Sequence, residues 1–261
     1  MRATRPSRRL MAANVAERPD CSHMTTDDRA PGSWRILTWN VRGSHRPDLA
    51  MVAEVIREHV PDVVALQEIR RGQAVALAAT LGWRHTWARK HHPYTPLVWW
   101  TSEGLAIVSP HPLRDVVRRT ISPGVSTWTF RHRIVVAATI DRPDGSLRLY
   151  DTHLAAHRQP DERIAQARRV ADLVRAEAAP LAVVAGDLNA PGEPEVIREF
   201  HPVGLRDPGG GPTNPAISPR SRLDYVLVPD RSRVTRQWES AGGEWWWQIS
   251  DHVPVVVEFT S

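Results

Sequence analysis

Hydrophobic and polar positions follow a regular pattern from Trp34 to the end of the chain, where short apolar or β-branched runs are separated by turns and amphipathic stretches. The apolar runs predict strands over residues 34–41, 62–68, 105–109, 129–140, 146–154, 181–189, 222–228 and 253–259. Helical spacing predicts helices over 48–59, 72–81 and 161–178. Most strand segments are too apolar for burial on one face only, so we expect sheets that are covered on both sides.

Residues 1–33 lack this periodicity and combine Arg, Ala, Asp and Thr with several prolines. We expect a disordered tail over 1–33 and one domain over 34–261. The Arg8-Arg9 pair is followed by no apolar stretch, which argues against a signal peptide and predicts a cytoplasmic protein, with Met24 as an alternative start. No apolar run approaches the length of a membrane span.

Composition limits the class of protein but does not identify a partner. The chain has 261 residues, of which 41% are hydrophobic and 24% charged, as in ordinary globular domains. Its single cysteine, Cys21, excludes an intramolecular disulfide and a cysteine-based zinc site. The net charge of +5 first suggests nucleic acid, yet six arginines against four acids place +2 of it in residues 1–33. Lys90 is the one lysine among 34 basic residues, and such arginine enrichment is equally typical of nucleotide-composition bias, so the charge leaves the partner open.

Several of the predicted strands end in polar side chains that can carry chemistry. A single Asn or Asp after a strand is more often a turn former, and an Asp-His pair is more often a local hydrogen bond. Six such endings in one chain favour a common site at the rim of the sheets. The residues concerned are Asn40, Glu68, Asp151 with His153, Asp187 with Asn189, Asp224, and Asp251 with His252.

The donor atoms of this set are mostly oxygens. Asn40, Glu68, Asp187, Asn189 and Asp251 offer carboxylates and amides without a thiol, which suits Mg²⁺ or Mn²⁺ far better than zinc. The histidines add groups that can donate to a phosphoryl oxygen or carry a proton. Hydrolysis of an anionic phosphoester needs a cation, a base for water and donors toward the developing charge, and this set supplies all three.

Eight segments, in order along the chain, resemble the motifs of the endonuclease/exonuclease/phosphatase superfamily, which includes pancreatic-type DNases, AP endonucleases, neutral sphingomyelinases and inositol-polyphosphate phosphatases. They are LTWNVRG (37–43), PDVVALQE (61–68), GLAIVS (104–109), THL (152–154), VVAGDLNA (183–190), GPT (211–213), SRLDYVLV (221–228) and SDHVPV (250–255). GDLN, RLDYV and SDHVPV are highly specific in combination. The resemblance implies an α+β fold, a four-layer α/β/β/α sandwich (DNase I-like), and a metal-dependent phosphoesterase site at one rim.

The resemblance also implies roles for the matching positions. Asn40 and Glu68 would hold Mg²⁺ or Mn²⁺, Glu68 most directly, and Asp251 would complete or support the metal site. Asp187 would orient and deprotonate the attacking water, and Asn189 would fix its position and contact phosphate.

The two histidines have implied roles at the phosphate. His252, paired with Asp224, would bond the phosphoryl oxygen and stabilise charge in the transition state, while His153 would assist at the phosphate or the leaving group. Arg42, directly after the first strand, is a candidate substrate contact by position. Trp247, in the run Glu244-Trp245-Trp246-Trp247, either lines the cleft or packs the last loop against the sandwich.

The substrate is less defined than the chemistry. DTHLAAH (151–157) departs from the Tyr-x-Pro-Asn type segment of the AP-endonuclease branch, and the absence of structural disulfide cysteines argues against a secreted DNase. We expect a phosphodiester, either DNA or a small diester, as the favoured substrate of a protein assumed to be monomeric, with nucleic acid as a candidate partner. A phosphomonoesterase, a phospholipid or sphingomyelin-type phosphodiesterase, and an inactive member that binds phosphorylated ligands are the alternatives.

Overall fold

The computed structural model describes residues 29, 31–90, 101–122, 132–156 and 158–261. Most of the predicted tail lies outside the described residues, and so do Cys21, the aromatic segment 91–100 and the first residues of the strand predicted over 129–140. The tail and the domain boundary at residue 34 therefore stay predictions.

In the described part of the chain, two sheets of six strands each form the centre of the molecule. The strands are β1 (Ser33–Asn40), β2 (Val63–Arg70), β3 (Arg84–Arg89), β4 (Glu103–Ser109), β5 (Leu113–Thr120), β6 (Ile134–Arg142), β7 (Gly145–His153), β8 (Ala182–Asp187), β9 (Leu205–Arg206), β10 (Asp224–Pro229), β11 (Arg233–Glu239) and β12 (Val255–Thr260). The α-helices are α1 (Leu49–His59), α2 (Arg71–Leu81), α3 (Pro160–Glu177), α4 (Pro194–Arg198) and α5 (Glu244–Ile249).

The sheets mix parallel and antiparallel pairs. The strand order is β11-β12-β1-β2-β4-β3 in the first sheet and β5-β6-β7-β8-β10-β9 in the second. Each sheet has one parallel pair near its middle, β1 with β2 and β7 with β8, and the other pairs are antiparallel. Because the carboxyl ends of parallel strands meet at one edge, both sheets present the ends of these strands along a rim.

Three apolar layers separate four layers of secondary structure. Leu37 and Trp246 belong to a cluster between the first sheet and α1, α2 and α5. Ile36 and Val183 belong to the cluster between the two sheets, whereas Val184 faces the cluster under α3 and α4. Successive residues of one strand thus enter different layers, as a period of two requires, and both faces of each sheet are buried. The predicted four-layer α/β/β/α sandwich is confirmed.

The apolar runs predict the inner strands well, with some shifts in their bounds. The strand predicted over 129–140 appears as β6, which begins at Ile134, and the one predicted over 181–189 ends at Asp187. The three predicted helices appear as α1, α2 and α3 with bounds within one residue. The pattern missed β3, β5, β9 and β11, which are the four edge strands of the two sheets. Among the described residues, no helix is long and apolar enough to cross a membrane.

Candidate active site

The polar strand ends singled out in the sequence converge at the rim where both parallel pairs end. Strand pairing places His153 beside Asp187 in the second sheet, and Asp224 opposite Asp187 on its other side. Asn40 lies at the end of β1 in the first sheet, and its Nδ2 donates a hydrogen bond across to Asp187 Oδ2 at 3.0 Å. The rim therefore joins side chains from both sheets around one carboxylate.

Asp187 is the centre of this arrangement and is almost fully buried, with 2% of its surface exposed. Its Oδ1 accepts a hydrogen bond from the backbone N of Asn189 at 3.0 Å, so both carboxylate oxygens are held. Burial is the main reason that the pKa of Asp187 is raised to about 6, and the nearby charge of Asp224 acts in the same direction, while His252 and Asn40 oppose the shift. A carboxylate with such a pKa is well matched to accepting a proton near neutral pH.

His252 forms a buried pair with Asp224. The distance between His252 Nδ1 and Asp224 Oδ2 is 2.7 Å, and the same oxygen accepts a hydrogen bond from Thr213 Oγ1 at 2.6 Å. Burial opposes the charged imidazole, but the charge and hydrogen bond of Asp224 and the charge of Asp187 outweigh it and raise the pKa of His252 to about 10. The ring is therefore an imidazolium at neutral pH, and its Nε2 lies 4.0 Å from Asp187 Oδ2.

Glu68 lies on a bulge of β2. The pairing of β2 with β4 shifts register between Gln67 and Ile69, and Glu68 has a φ of 56°. Such a bulge redirects a side chain at the price of local strain, and bulges are common next to active sites. Its Oε1 lies 3.3 Å from Lys90 Nζ. Burial opposes ionisation of Glu68, but the charge and hydrogen bond of Lys90 and the charge of Arg133 lower the pKa of this carboxyl below its usual value.

His153 lies between the carboxylate of Glu68, on the bulge of β2, and that of Asp187, at the end of β8. Its Nδ1 is 3.2 Å from Lys90 Nζ and 3.7 Å from Glu68 Oε1, and its Nε2 is 3.5 Å from Asp187 Oδ2. The imidazole thus connects the Glu68 side of the rim to the Asp187 side. It is buried, with 4% exposure.

The turns that follow the strands hold their side chains by local hydrogen bonds. Arg42 and Asn189 both have positive φ, of 44° and 50°, a conformation that L-residues adopt rarely and that recurs at functional sites. The backbone N of Arg42 donates to Asn40 Oδ1 at 3.1 Å, and Asn189 Nδ2 donates to the carbonyl of Leu154 at 3.3 Å. The two amides at the rim are thereby fixed in orientation.

Asp251 and Arg42 form a partly exposed ion pair, with 3.3 Å between Asp251 Oδ2 and Arg42 Nη1. The carbonyl of Asp251 accepts hydrogen bonds from the backbone N of Ala216 and from Asn214 Nδ2. The structure thus brings Asp251 and Arg42 together beside the rim. The other predicted site residues contact Asp187 directly or through one neighbouring side chain; they are Asn40, Glu68, His153, Asp224 and His252.

The sequence allowed the tryptophans at 245–247 either to line the cleft or to pack the last loop against the sandwich, and the structure shows both buried and exposed indoles. Trp245 and Trp246 are buried, and Trp246 packs edge-on against Trp39 with ring centroids 5.9 Å apart. Trp247 is 46% exposed on the same short helix, α5. Two of the indoles therefore pack the last loop against the sandwich, and Trp247 alone remains available to a ligand.

Three features of the site were missed by sequence reasoning. Lys90 contacts both Glu68 and His153, although its only sequence signal is that it is the one lysine. Thr213 belongs to the GPT segment, and nothing in that segment indicates its hydrogen bond to Asp224. Gln67 Nε2 donates to Asp151 Oδ1 at 2.7 Å just below the rim, and this contact between the two sheets has no local sequence signal.

Two sets of donors could hold a divalent ion, and they differ in protonation. Asp187, Asp224 and His252 have ligand atoms that lie within 4.8 Å of one another. Metal ligation requires a neutral imidazole, and the raised pKa of His252 disfavours that form. Glu68 is ionised, and its close contacts with Lys90 and His153 use Oε1. Asn40 adds an amide oxygen, Oδ1. Mg²⁺ and Mn²⁺ prefer such oxygen donors, so the set of Glu68 and Asn40 fits these ions better than the set that contains His252.

Comparisons with known proteins agree with this architecture. Similar solved structures include an endonuclease/exonuclease/phosphatase from Beutenbergia cavernae, with 23% identity, a TM-score of 0.70 and coverage of 87% of this chain and 71% of that one. A mannosyl-6-phosphatase from Bacteroides thetaiotaomicron has 16% identity, a TM-score of 0.69 and coverage of 87% and 100%. The human nocturnin catalytic domain with a bound sulfate anion has 19% identity, a TM-score of 0.69 and coverage of 88% and 93%.

No curated protein sequence matches the chain significantly. The sequence model of the Endonuclease/Exonuclease/phosphatase family, however, matches residues 37–252, a span that contains all of the rim residues described above. The chain belongs to the endonuclease/exonuclease/phosphatase family.

Proposed function

We propose that this hydrolase is a Mg²⁺- or Mn²⁺-dependent phosphoesterase in which Asp187 activates water and His252 stabilises the phosphoryl group. The observation that carries the proposal is the position of Asp187, which lies within 4.0 Å of Asn40, His153 and His252 while its pKa is raised to about 6. A base, an imidazolium and an oxygen-rich ligand set thus lie within a few ångströms at one rim.

Glu68 and Asn40 would hold the metal ion, with Asp251 supporting the site from beside the rim. When bound, the ion supplies positive charge that neutralises the phosphate and polarises its oxygens. The buried carboxylates of this site would otherwise repel an anionic substrate. The contact between Arg42 and Asp251 leaves the guanidinium partly exposed, which supports Arg42 as a substrate contact.

Asp187 would remove a proton from the attacking water. Asn40 and Asn189 donate to its two oxygens, so the carboxylate has one orientation and keeps lone pairs for the water. The side chain of Asn189 donates to the Leu154 carbonyl, and this orientation would hold it for contact with the phosphate.

His252 would donate a hydrogen bond from Nε2 to a non-bridging phosphoryl oxygen, since Nδ1 is engaged by Asp224. Its positive charge would offset the charge that develops in the transition state. His153, whose Nε2 faces Asp187, would donate to the phosphate or to the leaving oxygen.

The favoured substrate is a phosphodiester, either DNA or a small diester, with the exposed indole of Trp247 as a stacking surface for a base. A phosphomonoester is the second candidate, because a structure with a TM-score of 0.69 to this chain is a mannosyl-6-phosphatase.

The test is a panel of plasmid DNA, bis-p-nitrophenyl phosphate, p-nitrophenyl phosphate and sphingomyelin, with Mg²⁺ or Mn²⁺ and with EDTA as a control. We expect EDTA-sensitive turnover of a diester that Asp187→Asn removes, while Asp172→Asn, a change in an exposed carboxylate on α3, leaves the rate unchanged. Turnover of p-nitrophenyl phosphate alone would establish the monoesterase. Turnover that EDTA does not affect, or that Asp187→Asn retains, would contradict the proposal.

A further inference from the structure

Lys90 is the one lysine of the chain, and it is buried at the rim where β3 ends. Only 6% of its surface is exposed, and its backbone N donates to the Glu103 carbonyl at 3.0 Å. Its ammonium group reaches the site, with Nζ 3.3 Å from Glu68 Oε1 and 3.2 Å from His153 Nδ1. No step of the proposed reaction yet uses it.

The residue type at this position departs from the rest of the chain. All of the other 33 basic residues are arginines, so a buried lysine at position 90 stands against a strong compositional preference. An ammonium is compact and directs three donors tetrahedrally, whereas a guanidinium is a larger planar group. The single Nζ atom of the compact group reaches both neighbours, with contacts of 3.3 Å to Glu68 Oε1 and 3.2 Å to His153 Nδ1.

The contact with His153 determines which ring nitrogen carries the proton. An ammonium has donors and no acceptor, so His153 Nδ1 must accept from Lys90. We propose that Lys90 is a positioning residue whose ammonium, anchored on Glu68, holds neutral His153 in the tautomer that carries its proton on Nε2. This proton then faces Asp187, whose Oδ2 lies 3.5 Å from Nε2.

Without Lys90 the ring has a competing arrangement. Glu68 Oε1 lies 3.7 Å from His153 Nδ1 and would attract a proton on that nitrogen. The other tautomer would then present the lone pair of Nε2 to the substrate. This inference rests on the proposed function for its effect on turnover, because an anionic phosphate oxygen is bound by an N–H donor and repelled by a lone pair. Lys90 would therefore raise turnover without contacting the reacting atoms.

The direct test is the tautomer of His153 in uniformly ¹⁵N-labelled, metal-free protein, read from the chemical shifts of the two ring nitrogens and their couplings to the ring protons. The signals of His153 are assigned by their loss in His153→Asn. We expect an Nε2–H tautomer in the wild type and a shift toward Nδ1–H in Lys90→Met. Arg175→Met, which removes an exposed cation of α3, is the matched control and should leave the ring unchanged.

The wild-type spectrum does not depend on the folding of Lys90→Met, and a proton on Nδ1 in the wild type would overturn the proposal. An unchanged tautomer in folded Lys90→Met would overturn it as well. If the wild type turns over a phosphoester, Lys90→Met should lower kcat by about tenfold or more with little change in KM. If it turns over none, the proposed function fails, yet the spectra still decide the role of Lys90 at the ring.

Discussion

Asp187 and Asp224 lie directly opposite each other on the antiparallel strands β8 and β10, and the ring of His252 contacts both carboxylates. Two buried acids at paired positions repel each other, which contributes to the raised pKa of Asp187. The same two charges hold the proton on His252. The pairing of β8 with β10 thus raises two pKa values: that of Asp187, which can then accept a proton near neutral pH, and that of His252, which then stays protonated.

Replacing Asp187 should lower the activity of the protein but raise its stability. We expect Asp187→Asn to lower turnover by about 10³-fold, because the base for water is lost. A carboxyl whose pKa is raised in the folded state costs stability at pH values above that pKa. Since the pKa of Asp187 is about 6, metal-free Asp187→Asn should gain on the order of 2 kcal/mol in the free energy of unfolding at pH 8, and less at pH 5.

Urea unfolding in EDTA at both pH values measures this difference. Asp172→Asn should show neither the loss of activity nor the gain in stability, because its carboxylate is exposed. A fall in stability of Asp187→Asn at pH 8 would contradict the account of the buried carboxylate.

Removing the partner of His252 should make activity depend on pH. In Asp224→Asn the imidazole loses the charge that raises its pKa to about 10, and its pKa should fall toward the usual value of about 6.5. The imidazolium is then lost as the pH rises from 6 to 8, so the variant should fall further behind the wild type across this range, by about 10²-fold at pH 8.

A milder change at the same oxygen provides the comparison. Thr213→Val removes one hydrogen bond to Asp224 Oδ2 but keeps the carboxylate, so the pH profile of turnover should keep its wild-type shape. If the ratio of Asp224→Asn to wild-type rates did not vary with pH, the imidazolium role would be excluded.

The sequence predicts the inner strands better than the edges of the sheets for a physical reason. Inner strands such as β8, with the sequence AVVAGD, are buried on both faces and therefore read as apolar runs. The edge strands β3 (RHTWAR), β5 (LRDVVRRT) and β11 (RVTRQWE) face solvent along one side and carry arginines, which also discourages pairing with other molecules. Their polar pattern resembles that of a loop.

In the candidate site, too, some residues could be predicted from the sequence and others could not. Asn40, Glu68, Asp187 and His252 are detectable because each follows or precedes an apolar run within its own motif. Lys90 is brought to them by the pairing of β3 with β4, a long-range contact that no local pattern encodes. Thr213 likewise acts on Asp224, which lies eleven positions further along the chain. Motifs therefore identify the groups that do chemistry, while the groups that orient them depend on the tertiary fold.

The buried carboxyl of Asp151 should destabilise the protein as the pH rises. Burial raises the pKa of Asp151 well above its usual value, and only Oδ1 accepts a hydrogen bond, from Gln67, among the described residues. Such a group favours the folded state below about pH 4 and loses this contribution as the pH rises toward its folded pKa. Asp151→Asn should match the wild type in stability at pH 4 and exceed it by about 1 kcal/mol or more at pH 8.

A carboxylate with the opposite shift gives the control for Asp151. The hydrogen bond and charge of Arg114 lower the pKa of the exposed Asp141, so Asp141→Asn should lose a little stability at neutral pH and none at low pH. Denaturation midpoints between pH 4 and 8 would show the two trends. A constant difference between Asp151→Asn and the wild type over this range would contradict the buried-acid interpretation.

The two neighbouring indoles of α5 should respond differently to truncation. Trp246 is fully buried against Trp39 and Trp245, so Trp246→Ala should cost about 3–5 kcal/mol of stability. Trp247 is 46% exposed, and Trp247→Ala should change stability by less than about 1 kcal/mol. If Trp247 binds substrate as proposed, its variant should raise KM for a nucleic acid at unchanged stability, measured on the same preparation. An unchanged KM would remove Trp247 from the substrate site.

Gly186 should tolerate no side chain. It pairs with Thr152, and the next pair of β7 and β8 is His153 with Asp187. A Cβ there would lie 1.9 Å from the Thr152 carbonyl oxygen, a backbone atom, and its φ of 145° disfavours L-residues. Gly186→Ala should therefore separate β7 from β8, lower the free energy of unfolding by about 3 kcal/mol, and lower turnover by displacing His153 from Asp187. Gly72→Ala, on α2 with no atom within 4 Å of its Cβ, should instead raise stability by about 0.5–1 kcal/mol. Equal stabilities and rates of the two alanine variants would show that the β7–β8 contact does not position the site.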